Sequence, residues 1–202
     1  MQQNESAAPG FLAGLRAATT QSHEDLEAHP LSRLIAGEAI GTAGYVQYLQ
    51  AMQGVVENME GVIYPVLAHM MPDLKQRRKL PWITADLAAL GGLPNPMPEA
   101  HIAREDMSAD ELLGMLYVLE GSALGGRVIL KGLPPEIVSR GARYFEGYGK
   151  ETGPMWKSFL AALTAQGEES PQRAAAMIAG AEEAFRGIHT HFNQCADASQ
   201  PA

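Results

Sequence analysis

Apolar residues recur at steps of three and four along almost the whole chain. Phe11, Leu12, Leu15, Thr19, Ser22 and Leu26 share one face of a first helix. Pro30 opens a short second helix. Thr42 caps a long third one through Tyr45, Tyr48, Leu49, Met52, Val55, Val56, Met59 and Val62, which Pro65 and Pro72 bend or end. A shorter amphipathic piece spans Lys79 to Leu90, with Pro81 in its first turn and Gly91-Gly92 behind it. Leu93 to Ala100, holding three prolines, is a loop. Ser108 then caps a long apolar helix, with Glu111 completing a capping box. That helix runs through Leu112, Leu113, Leu116, Tyr117, Leu119, Leu124, Val128 and Leu130 and closes at Pro134-Pro135. Helices over about 137–144 and 152–165 follow, and Ser170-Pro171 starts a last one reaching about Phe192. No stretch alternates as a strand would. The pattern predicts an all-α, multi-helix bundle in a single domain over residues 11–193. Residues 1–10 and 194–202 are small or polar with little to bury, and are expected to be flexible.

Composition narrows the function classes. With 202 residues and 46% apolar content there is material for one core of ordinary size. The 23 acidic against 15 basic side chains leave a net charge of -8, which repels polyanions and argues against a nucleic-acid partner. Cys195 is the single cysteine, so no internal disulfide and no Cys-x-x-Cys metal pair exists, and a cytoplasmic location is expected. No unbroken apolar run approaches the roughly 20 residues of a membrane span, and the N-terminus lacks the basic-then-apolar order of a signal peptide. No membrane span is expected.

Two features carry candidate chemistry. Six histidines are present, but no Glu-x-x-His or His-x-x-x-His spacing pairs them for a di-metal or zinc site. His23 lies four residues after Thr19 and three before Leu26, on the apolar face of the first helix. It is either a core histidine bonded to a carbonyl or to Glu27, or an axial haem ligand with Glu27 as an outer partner fixing its tautomer. The second feature is Gly121-Ser122-Ala123-Leu124-Gly125-Gly126, in the middle of the longest apolar helix. Each glycine there costs about 1 kcal/mol against alanine. Gly121 and Gly125, one turn apart, admit either a flat ligand or a closely packed helix. An inward histidine on one helix and a glycine-thinned stretch on another suit a planar macrocycle held between them. Arg16, two turns before His23, is placed to meet a carboxylate at the rim, or is an ordinary surface arginine. Glu120, in otherwise apolar surroundings, needs a partner such as an arginine, or a wet edge.

These residues carry a resemblance. Leu15 to Glu27, LRAATTQSHEDLE, resembles the proximal helix of haem oxygenases, and Leu116 to Ile129, LYVLEGSALGGRVI, resembles their distal helix. The match is nearest the bacterial, biliverdin-producing branch and extends over about residues 11 to 193. The resemblance implies a haem oxygenase-like fold with haem as both substrate and prosthetic group, opened by O2 and external electrons to biliverdin, CO and ferrous iron. His23 is then the iron's axial ligand, and Gly121, Ser122, Gly125 and Gly126 line a kinked helix over the ring. Arg16, Tyr117 and Lys157 then stand at the propionate edge. An electron donor of the ferredoxin or flavoprotein reductase type is implied as partner. Mammalian members carry an aspartate where Ser122 stands, and a serine binds water without holding a fixed negative charge. Two other functions fit the same residues less fully: a non-catalytic haem carrier or sensor, and an enzyme of the same bundle acting on thiamine or quinone precursors.

Overall fold

A long central helix, α5 (Ala109–Gly132), packs against α3 (Thr42–Leu67), α8 (Thr152–Gly167) and α9 (Pro171–Ala198), and α1 (Phe11–Ala28) packs on α9. The short α2 (Pro30–Arg33), α4 (Leu80–Leu90), α6 (Pro135–Val138) and α7 (Arg143–Glu146) connect or buttress them. The computed structural model describes residues 10–36, 40–92 and 97–198, and no strand occurs among them. Residues 1–9 and 199–202, within the termini expected to be flexible, and the first half of the proline loop, 93–96, lie outside the described residues.

Local rules account for the long helices. On α3, Tyr45, Leu49, Met52, Val56, Met59 and Ile63 are all buried, at alternating steps of four and three. The capping box of α5 is present: the Ser108 side chain accepts from the Glu111 N–H, while Glu111 Oε2 accepts from the Ser108 N–H at 2.8 Å. Gly91 ends α4 in the left-handed region, φ 73°, where a side chain would be strained. The α5–α9 crossing is made on bare backbone. A Cβ at Gly114 would stand 1.8 Å from the Met177 carbonyl oxygen, and one at Gly180 would stand 2.0 Å from that of Glu111. These two glycines let the central pair approach closely, and α1 packs along the other side of α9.

The structure departs from the sequence pattern at four places. Gly41, not Thr42, is the N-cap of α3, and Thr42 is its first helical residue. The helix expected over 137–144 is two single turns, α6 and α7. Gly141, between them, lies against the α4 backbone, where a Cβ would be 3.1 Å from Asp86 Cα. The buried Asp86 carboxylate then accepts the N–H groups of Arg143 at 3.0 Å and Tyr144 at 2.9 Å. This contact from α4 starts the second turn afresh. At the C-terminal end, α9 continues to Ala198, so residues 194–198 are helical rather than loose. The stripe Ile188, His191, Phe192 reaches one turn further to Cys195, which is fully buried with its Sγ 3.3 Å from His191 Nε2. Finally, α5 alone among the described residues is long and apolar enough to cross a membrane by length and composition. Most of its apolar positions are in the bundle core, though Leu124 and Val128 are exposed, and Glu120 at its middle is ion-paired to residues outside the helix.

Candidate functional site

Between α1 and the middle of α5 lies a slot of about 860 Å³, within the roughly 300–1,000 Å³ range of small-molecule sites. Its back is closed by Tyr48 and Met52 of α3 and by Phe185, Ile188 and Phe192 of α9, and most of its lining is apolar. Titratable groups enter mainly from α1, where Arg16, His23, Glu24 and Glu27 face the slot on successive turns.

His23 is not a core histidine. Its side chain is 58% exposed, and the imidazole stands in the slot wall, edge-on to the Phe185 ring at 5.8 Å. The Nδ1 atom lies 3.7 Å from Glu27 Oε2, one helical turn on. A ring packed on one side by an aromatic and approached at Nδ1 by a carboxylate has Nε2 as its remaining ligating atom.

The opposite wall is the glycine stretch, and its glycines divide into two kinds. Nothing lies within 4 Å of where a Cβ at Gly125 would stand, and at Gly121 the nearest atom is a Trp156 ring carbon at 3.7 Å. Both line the slot, so helix packing does not require their bareness. Gly126 differs. It is buried away from the slot, and its Cβ would meet Phe145 Cδ1 at 3.0 Å. The expectation that Gly126 faces the ligand is therefore corrected: its role is packing against α7. Lys157 is exposed on α8 and is not part of the slot wall, where its neighbour Trp156 stands, 5.5 Å from the Tyr117 ring. Arg16, Tyr117 and Ser122 do line the slot. The Ser122 hydroxyl donates to the Leu119 carbonyl at 2.7 Å, which commits its proton to the helix and leaves lone pairs on Oγ. Behind it the Tyr144 hydroxyl is pushed up to about 12 by burial, an effect the adjacent Ser122 hydroxyl reduces.

The family model described as "Heme oxygenase" matches residues 10–194, nearly the whole chain. The chain belongs to the haem oxygenase family. Two haem oxygenases are similar in sequence. One, from Xanthomonas campestris, is 37% identical over 116 residues, 56% of this chain and 67% of that protein. The other, PigA of Pseudomonas aeruginosa, is 38% identical over 127 residues, 59% of this chain and 60% of that protein. Two solved structures share the fold. The haem oxygenase of Neisseria meningitidis, in a study of its NO- and CO-bound forms, superposes with a TM-score of 0.75 at 22% identity, covering 96% of both chains. That of Leptospira interrogans gives 0.74 at 16% identity, covering 91% of this chain and 98% of its own. The expected family, all-α fold and class of enzyme all stand.

The haem oxygenase slot also contains residues that the sequence pattern did not single out. Tyr48, Trp156, Phe185 and Phe192 supply aromatic surface. Their only sequence signal was aromatic identity on helical faces, which core residues share. Glu120 has the partner it needs, and more than one. Its Oε2 accepts from Arg77 Nη1 at 2.7 Å, its Oε1 accepts from Lys79 Nζ, and the Tyr148 hydroxyl lies 3.0 Å from Oε1. All three charged side chains are almost completely buried. Arg77 is further held by Asp73 Oδ2 at 2.7 Å, which together with Glu120 outweighs burial and raises the pKa of its guanidinium.

Proposed function

We propose that the slot between α1 and α5 is where this haem oxygenase binds and opens its substrate, with His23 as the iron's axial ligand and the Gly121–Gly125 stretch against the opposite face of the ring. The observation that carries this reading is the slot itself: one wall offers an imidazole nitrogen, the other main chain with no side chain to exclude a flat ring. When bound, haem supplies both the iron at which O2 is activated and the ring that is cut, giving biliverdin, CO and ferrous iron.

The residues of the chain bind and orient. Glu27, with Oε2 3.7 Å from His23 Nδ1, places a carboxylate on the Nδ1 side of the ring, which favours the tautomer that leaves Nε2 for the iron. A neutral imidazole donates less electron density to iron than a thiolate would, which suits oxidation of the ring over early O–O cleavage. Arg16 gives the rim a cation for one propionate, and the Tyr117 hydroxyl a second polar contact. Tyr48, Phe185 and Phe192 exclude water from the ring's apolar edge. At Ser122 the hydroxyl proton is directed at Leu119, so Oγ keeps lone pairs with which it would accept from a water in the slot. Residues 121–126 contain no arginine or histidine, so the stretch itself offers no strong acid beside the ring. Electrons come from an external one-electron donor protein of the ferredoxin or flavoprotein reductase type.

The test is to load the purified protein with hemin, add ascorbate under air, and follow biliverdin absorbance and its isomer by chromatography. Biliverdin with a histidine-ligated ferric spectrum supports the reading. Haem bound in the same slot with no ring opening would make the protein a carrier or sensor.

A further inference from the structure

We infer that the buried Glu120–Arg77–Lys79–Tyr148 cluster is a positional lock for the glycine stretch of α5, and that Glu120 is a positioning residue for the substrate face it adjoins. The inference rests on the proposed placement of haem against Gly121 and Gly125, but the lock can be tested without haem.

Taking a carboxylate, a guanidinium and an ammonium out of water consumes most of what their pairing returns, and apolar residues of similar size serve stability equally well. A stability role does not explain a glutamate at a core position of α5. Its place in the sequence does. Glu120 is immediately followed by Gly121, the first residue of a stretch whose three glycines weaken the helix by roughly 3 kcal/mol in propensity. On the slot side that stretch has no protein neighbour at Gly125 and one ordinary contact at Gly121. On its other side Ala123 is buried near Gly147, so what holds the stretch acts from that side and from its ends.

Both ends are tied to one short segment. At the start, the Tyr148 hydroxyl bridges the Glu120 oxygens, 3.0 Å from Oε1 and 3.2 Å from Oε2. At the far end, Gly126 lies on Phe145, and Arg127 Nη1 donates to the Gly149 carbonyl. The 145–149 segment is itself tightly turned, with Gly147 at φ 55° and Gly149 at φ 57°. Each Glu120 oxygen takes a different cation, Arg77 on Oε2 and Lys79 on Oε1, so the carboxylate is fixed in rotation as well as in position. Lys79 Nζ also donates to the Tyr148 hydroxyl at 3.0 Å, and Arg77 donates to the Met155 carbonyl at 3.3 Å. The lock thus joins α5 to the turn before α4 and to α8, and sets where unguarded main chain stands above the ring.

The test compares wild type, Tyr148→Phe and Glu120→Gln. Amide hydrogen exchange of the haem-free protein is read over 118–128 and over α3 and α9. The lock predicts at least tenfold faster exchange confined to 121–126, with α3 and α9 unchanged. In the ferric haem complex it predicts a shift of at least half a pH unit in the acid–alkaline spectral transition. A uniform rise in exchange marks a merely structural role and overturns the inference, as does exchange within twofold of wild type. Should Glu120→Gln fail to fold, Tyr148→Phe, which removes one neutral hydroxyl and leaves the ion pairs in place, decides the matter. Wild-type protein that bound no haem would overturn the functional reading, while the exchange measurement would still judge the lock.

Discussion

Glu27 Oε2 stands 3.7 Å from His23 Nδ1, one turn along α1, in a slot wall where both side chains are more than half exposed. In the proposed placement of haem, His23 is the ligand and Glu27 the group that orients it. His23→Ala is expected to abolish the histidine-ligated ferric spectrum and biliverdin formation. Glu27→Gln should keep the ligand and weaken haem affinity or turnover by about 10-fold or more, the usual scale for a group orienting a metal-bound histidine. Absorption spectra and hemin titration check both, and an unaltered spectrum in His23→Ala would reject the ligand.

Glycines that look alike in the sequence should respond in opposite ways. At Gly125 a Cβ meets no protein atom. Gly125→Ala is thus expected to stabilise the haem-free protein by about 0.5–1 kcal/mol through helix propensity, and Gly125→Leu to block the slot to haem. At Gly180 a Cβ would collide with the Glu111 carbonyl at 2.0 Å, so Gly180→Ala should destabilise by about 3 kcal/mol or more. Urea denaturation without haem, paired with hemin titration, separates the two. Loss of stability in Gly125→Ala would show that packing, rather than ligand space, selects that glycine.

Arg16 lines the slot, and Lys157 does not. A charge-assisted hydrogen bond to a propionate is worth about 1.5–3 kcal/mol, so Arg16→Ala should raise the haem Kd by roughly 10-fold or more. Lys157→Ala should leave it within twofold. The reverse ranking in hemin titrations would restore the propionate contact that the sequence resemblance gave to Lys157.

What the sequence disclosed follows the range of the interactions involved. The α5 start was legible because Ser108 and Glu111 close their box within one turn. His23, Gly121 and Gly125 were legible because one helix face fixes all but the distance. The break of 137–144 was not, since the group responsible, Asp86, is 57 residues from the Arg143 N–H it accepts. Gly126 and Lys157 each sit one position from a residue that does face the slot, and one step turns a helical side chain by about 100°. That Glu120 needed a cation was evident from burial cost. That two would come from 41 and 43 residues away was not.

His29 gives a pH dependence whose sign can be worked out. It caps α2: Nδ1 accepts the Leu31 N–H at 3.1 Å, and Nε2, 3.1 Å from Asn193 Oδ1, donates to that oxygen. Both contacts require the neutral ring, since a proton on Nδ1 would remove the cap. Burial, with a smaller contribution from nearby His189, holds its pKa below 6.5, although the Asn193 contact opposes this. The unfolded chain therefore takes up the proton first as pH falls. Stability from this site is complete above about pH 6.5 and is lost as pH drops toward the lowered folded value. His191, also lowered by burial, contributes with the same sign, whereas Glu60 and Asp86, raised by burial, contribute with the opposite one. The wild-type slope alone is thus a mixture, but its difference from His29→Asn isolates one group. Asparagine keeps an N-cap acceptor and does not titrate. Urea midpoints between pH 7.5 and 5 should fall less steeply in His29→Asn than in wild type. Equal slopes would mean that the ring accepts its proton in the folded state without losing the cap.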